Sequence, residues 1–98
     1  MVLAAVLRLG EGAYGAAVIK EIRSGTGRRV PSGSLSVTLD RLERKGYLES
    51  RLGQPDSNRG GRPKRFVAVT QKGLQALREA RSAMLSLWSG LERRLDES

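Results

Sequence analysis

The stretch PSGSLSVTLDRLERKGYLESRLGQPDSNRGGRPKRFVAVTQKG, residues 31–73, decides the fold. Leu35, Leu39 and Leu42 recur at +4 and +3, which places them on one buried stripe of a helix running from Ser32 to Lys45. Ser32 reads as its N-cap and Gly46 as its C-terminal stop. Gly33, Ser34, Val37, Asp40, Arg41 and Arg44 fall on the opposite face. Two short strand-like runs follow, Tyr47–Leu52 with Leu48 and Leu52 on one face, and Arg65–Val69. Between them lies Gly/Pro/Asn/Asp/Ser loop chemistry, with four cations in the seven residues from Arg59 to Arg65: Arg59, Arg62, Lys64 and Arg65. A helix followed by a hairpin with a basic tip is the layout of a winged helix-turn-helix.

Working outward toward the N-terminus, Met1–Leu9 reads as a short helix with Leu3, Val6 and Leu7 as its apolar stripe and Gly10 as its stop. Gly10–Gly15 is a Gly-rich turn and matches no complete phosphate-cradling pattern. Tyr14, Ala17, Val18 and Ile22 recur at helical spacing to Arg23, and Ser24–Gly27 ends that second helix. Arg28–Val30 is a candidate short strand before Pro31. The first helix starts without a cap, and the expectation is that its N-terminal end is clipped.

Toward the C-terminus, Thr70 caps a long helix from Gln71 to about Leu95. Leu74, Leu77, Arg81, Met84, Trp88, Leu91 and Leu95 are spaced 3, 4, 3, 4, 3, 4, an a/d seam interrupted by one cation. A three-helix core needs little of a helix this long. The seam therefore predicts a second copy of the chain packed along Leu77, Met84, Trp88, Leu91 and Leu95. Trp88 also offers a flat wall for a small planar aromatic effector. The expected division is a winged helix-turn-helix unit, residues 1–70, and a dimerisation helix, residues 71–98.

Composition excludes several classes of function. With 98 residues the chain fits one compact core. It has no Cys and no His, so it lacks disulfides, a thiolate nucleophile, the commonest metal ligands and the commonest general base. The carboxylates are scattered beside Arg and Lys rather than paired. An enzyme is not expected, nor is a metal or other cofactor. Met1–Leu7 has no basic n-region and is too short to span a bilayer, so a cytoplasmic location is expected, away from membranes. The net charge is +8, from 18 Lys and Arg against 10 Asp and Glu. A polyanionic partner follows, and clustering of the cations in a loop favours double-stranded DNA.

In a helix-turn-helix the second helix of the pair enters the major groove by its N-terminal part. Here that part carries hydroxyls on Ser34 and Ser36 for bases or phosphates, Val37 for a thymine methyl, and Arg41 for a guanine edge or phosphate. Thr38 lies nearer the core. Asp40 and Arg44 have the i, i+4 spacing of a simple ion pair. Arg59, Arg62, Lys64 and Arg65 would lie along the backbone or minor groove, giving affinity without sequence choice. The nearest acid to those four cations in sequence is Asp56.

Four segments in order, Leu9-Gly-Glu-Gly-Ala-Tyr-Gly15, Leu39-Asp-Arg-Leu-Glu-Arg-Lys-Gly46, Gly60-Gly-Arg with Phe66, and Val69-Thr-x-x-Gly73, resemble PadR-like transcriptional regulators. The similarity is greatest to the short subgroup with a single C-terminal helix. The resemblance implies a mostly α fold with a small β-hairpin, a winged helix-turn-helix with a long C-terminal dimerisation helix. It further implies a bacterial repressor that dimerises through that helix, which also packs on the partner's first helix, and it puts Trp88 near the place where aromatic effectors stack. Members often have Tyr where this chain has Ser36, so operator preference is not inherited. Relatives also carry several more residues before Met1.

The expected function is therefore sequence-specific DNA binding by a dimeric regulator, with residues 32–45 as recognition helix and 53–65 as wing. The alternative is a winged-helix interaction module docking an acidic protein. The Gly60–Arg65 loop disfavours it, because protein interfaces place aromatic anchors rather than cations at their centre.

Overall fold

The computed structural model describes residues 1–53 and 64–96. Helix α1 spans Val2–Leu9 and runs into a single 3-10 turn, Gly10–Gly12; α2 spans Gly15–Thr26 and α3 Ser32–Arg44. Strands β1, Leu48–Leu52, and β2, Arg65–Val69, form the hairpin, followed by α4, Gln71–Trp88, and α5, Leu91–Asp96. The fold is mostly helical with one antiparallel two-stranded sheet among the described residues.

Two expectations about the entry to α3 are corrected. Arg28–Val30 forms no strand; Val30 instead packs its side chain against the core, and Pro31 after it cannot donate to a ladder. Ser32 is not the N-cap. Pro31 holds that position in extended geometry, no side chain caps the helix, and the Pro31 carbonyl accepts from the Leu35 N–H at 3.0 Å. The stop at Gly46 is as expected. Tyr47 N–H reaches back to the Leu42 carbonyl and Gly46 N–H to the Glu43 carbonyl, each at 2.9 Å. This paired closure needs the left-handed φ of 82° that Gly46 adopts.

The hairpin pairs Leu48 with Val69, Ser50 with Val67 and Leu52 with Arg65, and Gly53 N–H extends the ladder to the Lys64 carbonyl at 2.7 Å. Leu48 is buried, but Leu52 is 70% exposed. The two share a face of the strand as expected, but only Leu48 is covered, because β1 runs past the end of the helical core. The other edge of β2 is also used. Val67 N–H donates to the Ala13 carbonyl at 2.8 Å, and Tyr14 bridges Phe66 in antiparallel fashion. The Gly-rich turn thus supplies a one-residue third strand that periodicity could not show.

The final helix is not continuous to Leu95. It ends at Trp88, and Gly90 takes φ 82° before the separate turn of α5. At ~1.5 Å per residue α4 is about 27 Å long. Thr70 caps it as expected, its Oγ1 accepting from the Gly73 N–H at 3.0 Å. The same hydroxyl donates to the Gly46 carbonyl at 2.5 Å, while Thr70 N–H bonds the Tyr47 carbonyl at 3.0 Å. The root of α4 is therefore tied to the turn that leaves α3.

Ala5, Val6, Ala13, Val18, Ile22, Leu35, Leu39, Leu48 and Val67 form the buried core. On α1 the expected stripe shifts: Ala5 and Val6 are buried and Leu7 is about half exposed. Every residue from Arg78 to Asp96 is exposed. The molecule extends 56 Å by 27 Å by 20 Å with a radius of gyration of 16.2 Å, against ~13 Å for a compact domain of this size. The excess is the free length of α4 and α5.

Candidate nucleic-acid interface

The buried stripe of α3 fixes which side faces outward. Leu35 and Leu39 sit in the core, so Ser34, Ser36, Val37 and Arg41 are all exposed. Val37 is 57% exposed, an apolar side chain left in water at the centre of a polar face. Thr38 bonds within the helix, its hydroxyl donating to the Ser34 carbonyl at 3.0 Å. Because no side chain caps α3, its first-turn N–H groups are open to an anion.

The hairpin is fastened to the C-terminal half of this helix. Arg65 Nη1 meets Asp40 Oδ1 at 2.9 Å and Nη2 meets Glu43 Oε2 at 2.5 Å. Ser50 on β1 donates to Glu43 Oε1 at 2.7 Å. Both strands are therefore tied to α3 side chains. The Ser50 hydroxyl first, and Arg65 second, hold the Glu43 carboxyl below its ordinary range. Asp40 chiefly, with Glu43 behind it, strengthens the proton affinity of the Arg65 guanidinium. The simple Asp40–Arg44 pair gives way: Arg44 Nε reaches only the main-chain oxygen of Asp40, at 3.5 Å, and the carboxylate goes to Arg65. Arg65 is thus neutralised within the chain by acids that are distant in sequence. Asp40 and Glu43 share a helix face at i, i+3, but only the hairpin register reveals their partner.

Lys64 is exposed, and its Nζ lies 4.3 Å from the centroid of the Tyr14 ring. Tyr14 meets Phe66 edge to face at 5.6 Å, and Arg51 lies 4.8 Å from the Phe66 centroid. Arg51 is a further cation of the hairpin that no local pattern singles out; its pairing with Phe66 puts it on the side of the sheet opposite Ser50 and Arg65, the two that reach α3. Such contacts hold an exposed cation by only ~0.5–1 kcal/mol, so both ends remain free to reach a phosphate. Arg59 and Arg62 lie outside the described residues.

Away from this face, Leu77 is half-buried in a groove between α1 and α4 with Ala4, Leu7 and Leu74, beside Arg78 and Arg81. Met84, Trp88, Leu91 and Leu95 are exposed, and so are Leu85 and Leu87. Among the described residues no group of His, Cys, Asp or Glu could hold a metal ion, and no helix is long and apolar enough to cross a membrane.

No curated protein matches the chain. Solved structures do. A PadR family transcriptional regulator from Eggerthella lenta DSM 2243 is 29% identical, with a TM-score of 0.73 over 99% of this chain and 82% of that one. A PadR-like transcriptional regulator from Bacillus cereus strain ATCC 14579 is 22% identical, with a TM-score of 0.75 over 99% and 88%. A transcriptional regulator from Clostridium thermocellum is 19% identical, with a TM-score of 0.74 over 94% and 86%. The last two are similar in fold alone. The family model described as Transcriptional regulator PadR-like family matches residues 2–79, most of the chain, and it describes regulators rather than enzymes. With its winged-helix architecture and its cationic outer face, the chain belongs to the PadR-like family of transcriptional regulators.

Proposed function

We propose that this PadR-like protein is a dimeric repressor that lays α3 in the major groove of an operator and its hairpin along the adjoining backbone. The observation that carries this reading is the composition of the outward face of α3. Ser34, Ser36, Val37 and Arg41 are exposed together above an uncapped N-terminus. Hydroxyls, an apolar contact and a guanidinium are the groups that read base edges and phosphates. Lys64 and Arg51, with Arg59 and Arg62 of the wing, supply sequence-independent phosphate contacts. Two copies joined along α4, from the half-buried Leu77 through the exposed Met84 to Trp88, would set two recognition helices ~34–36 Å apart on a two-fold site. Repression follows from occupying promoter DNA and excluding polymerase.

A salt series tests the reading. If the dimer neutralises about 6–10 phosphates, affinity for a genomic fragment taken from upstream of its own gene falls by ~10³–10⁵ between ~50 and ~200 mM salt. Binding that does not vary with salt would refute it.

A further inference from the structure

Arg65 stands at the tip-proximal end of β2, among the cations of the wing, and charge alone makes it a phosphate contact. Its geometry assigns another role. Both terminal nitrogens are engaged, one by Asp40 at 2.9 Å and the other by Glu43 at 2.5 Å. The second oxygen of Glu43 takes the Ser50 hydroxyl at 2.7 Å. The four groups join three elements, α3, β1 and β2. We propose that Arg65 is a positioning residue of the DNA-binding face, one that fixes the base of the wing to the recognition helix and does not itself grip DNA. This rests on the DNA-binding reading given above.

Three physical points support the assignment. A planar guanidinium fork directed at two carboxylates fixes direction as well as distance, which a flexible ammonium does not. The sheet is only two strands wide with a one-residue bridge beyond it, and hairpins of this kind have little rigidity of their own. The angle between wing and helix is therefore set by the burial of Leu48 and Val67 together with contacts such as these. Finally, Asp40 and Glu43 would repel phosphate if left bare beside Arg41, and Arg65 offsets that repulsion without leaving the protein. A phosphate would have to displace two charge-assisted hydrogen bonds and would leave those carboxylates unpaired on the bound face.

The conservative variant Arg65→Lys separates the two roles, because it retains the charge and removes the fork. Two probes are titrated by fluorescence anisotropy: a duplex that the wild-type protein selects from fragments of its own genome, and a random-sequence duplex of equal length. Positioning predicts that R65K loses about threefold to fivefold in affinity for the selected duplex, the range of a part-exposed ion pair. Its affinity for the random duplex and its salt slope stay at wild-type values. If both affinities stay at wild type, the role is overturned. The double variant Asp40→Asn with Glu43→Gln gives a contrast of sign. It makes the face more positive, so a merely electrostatic Arg65 would bind both duplexes more tightly with their ratio unchanged, which also overturns the proposal. Positioning predicts that the ratio of selected to random affinity falls. Should the wild-type protein bind neither duplex, the DNA-binding reading fails instead, and the R65K comparison is not what sinks it.

Discussion

Replacing Gly73 with Ala reverses the usual effect of that substitution in a helix. Gly73 is buried in the first turn of α4. A Cβ there would run into the Tyr47 carbonyl oxygen, with Val69 Cγ1 only 2.8 Å away and the Tyr47 carbonyl carbon at 3.1 Å. None of these is the loose end of a long side chain; Tyr47 is held by its N–H to the Leu42 carbonyl and through its own carbonyl to Thr70. Helix propensity favours Ala by ~1 kcal/mol. Against it stand overpacking at ~1–3 kcal/mol, the Thr70 cap at ~1 kcal/mol and the Thr70–Tyr47 bond at ~0.5–1.5 kcal/mol. The last two suffer because the first turn must move away from the α3–β1 turn to admit the methyl. The balance is a loss of roughly 1.5–4.5 kcal/mol, which for a chain of this size lowers Tm by at least ~6 °C. Thermal unfolding followed by circular dichroism at fixed protein concentration measures it. Gly25→Ala is the control: it lies in α2 with nothing within 4 Å of an added Cβ and should gain up to ~1 kcal/mol. A G73A protein that melts at or above the wild-type temperature would refute the account of how α4 is docked.

Met84→Glu places a charge amid exposed apolar side chains of α4. If that face is the dimer interface, losing a central anchor costs ~2 kcal/mol or more, and sedimentation equilibrium will show the dimer dissociating at concentrations where wild type remains paired; an unchanged mass counts against the interface. The pH dependence of stability follows from Glu43, whose carboxyl is held below its ordinary value of 4.5 by Ser50 and then Arg65. A depressed folded-state value means that the stabilisation is complete above the ordinary value and is lost as pH falls through the depressed one. Thermal midpoints between ~pH 2 and ~pH 6 should therefore fall on acidification more steeply for wild type than for Glu43→Gln, and superimposable curves would dismiss the network's contribution.

What could be read from the sequence was whatever a local pattern encodes. The stripe of Leu35, Leu39 and Leu42, the stop at Gly46, the Thr70 cap and strand β2 each depend on residues within a few positions of one another, and the structure has them. The misses share a different cause. Tyr14 becomes a strand residue only because Phe66 arrives beside it. Leu52 is exposed because the core ends before the strand does. Ser32 yields the cap position to Pro31 because the preset extended approach starts the helix one residue earlier. The seam of the last helix was legible as a spacing, but the left-handed Gly90 that interrupts it carries no apolar signal. At the candidate site the outward face of α3 was predictable from its buried face. The partner of Arg65 was not, since Asp40 is 25 positions away and only the fold chooses between it and every other acid.

The contrast between the two ends of α4 bears on how this small protein is stable at all. Its first turn is locked by Thr70 and Gly73 against the turn leaving α3. Its far end leaves Met84, Leu85, Leu87 and Trp88 in water. Meanwhile, among the described residues, the core holds nine buried side chains, all Ala, Val, Leu or Ile and none aromatic. A chain of this length buries a limited fraction of its surface alone, and a contiguous exposed apolar face is the signature of burial completed by another molecule. If that molecule is a second copy, pairing and folding are thermodynamically linked, and Tm rises with protein concentration. The rigid root then gives the link a functional direction. Because hydrogen bonds and close packing hold α4 where it meets the α3–β1 turn, pairing of two α4 helices would also set the separation and angle of two α3 helices, and a change at such a seam would be transmitted to the outward face of α3 through Gly46, Tyr47, Thr70 and Gly73.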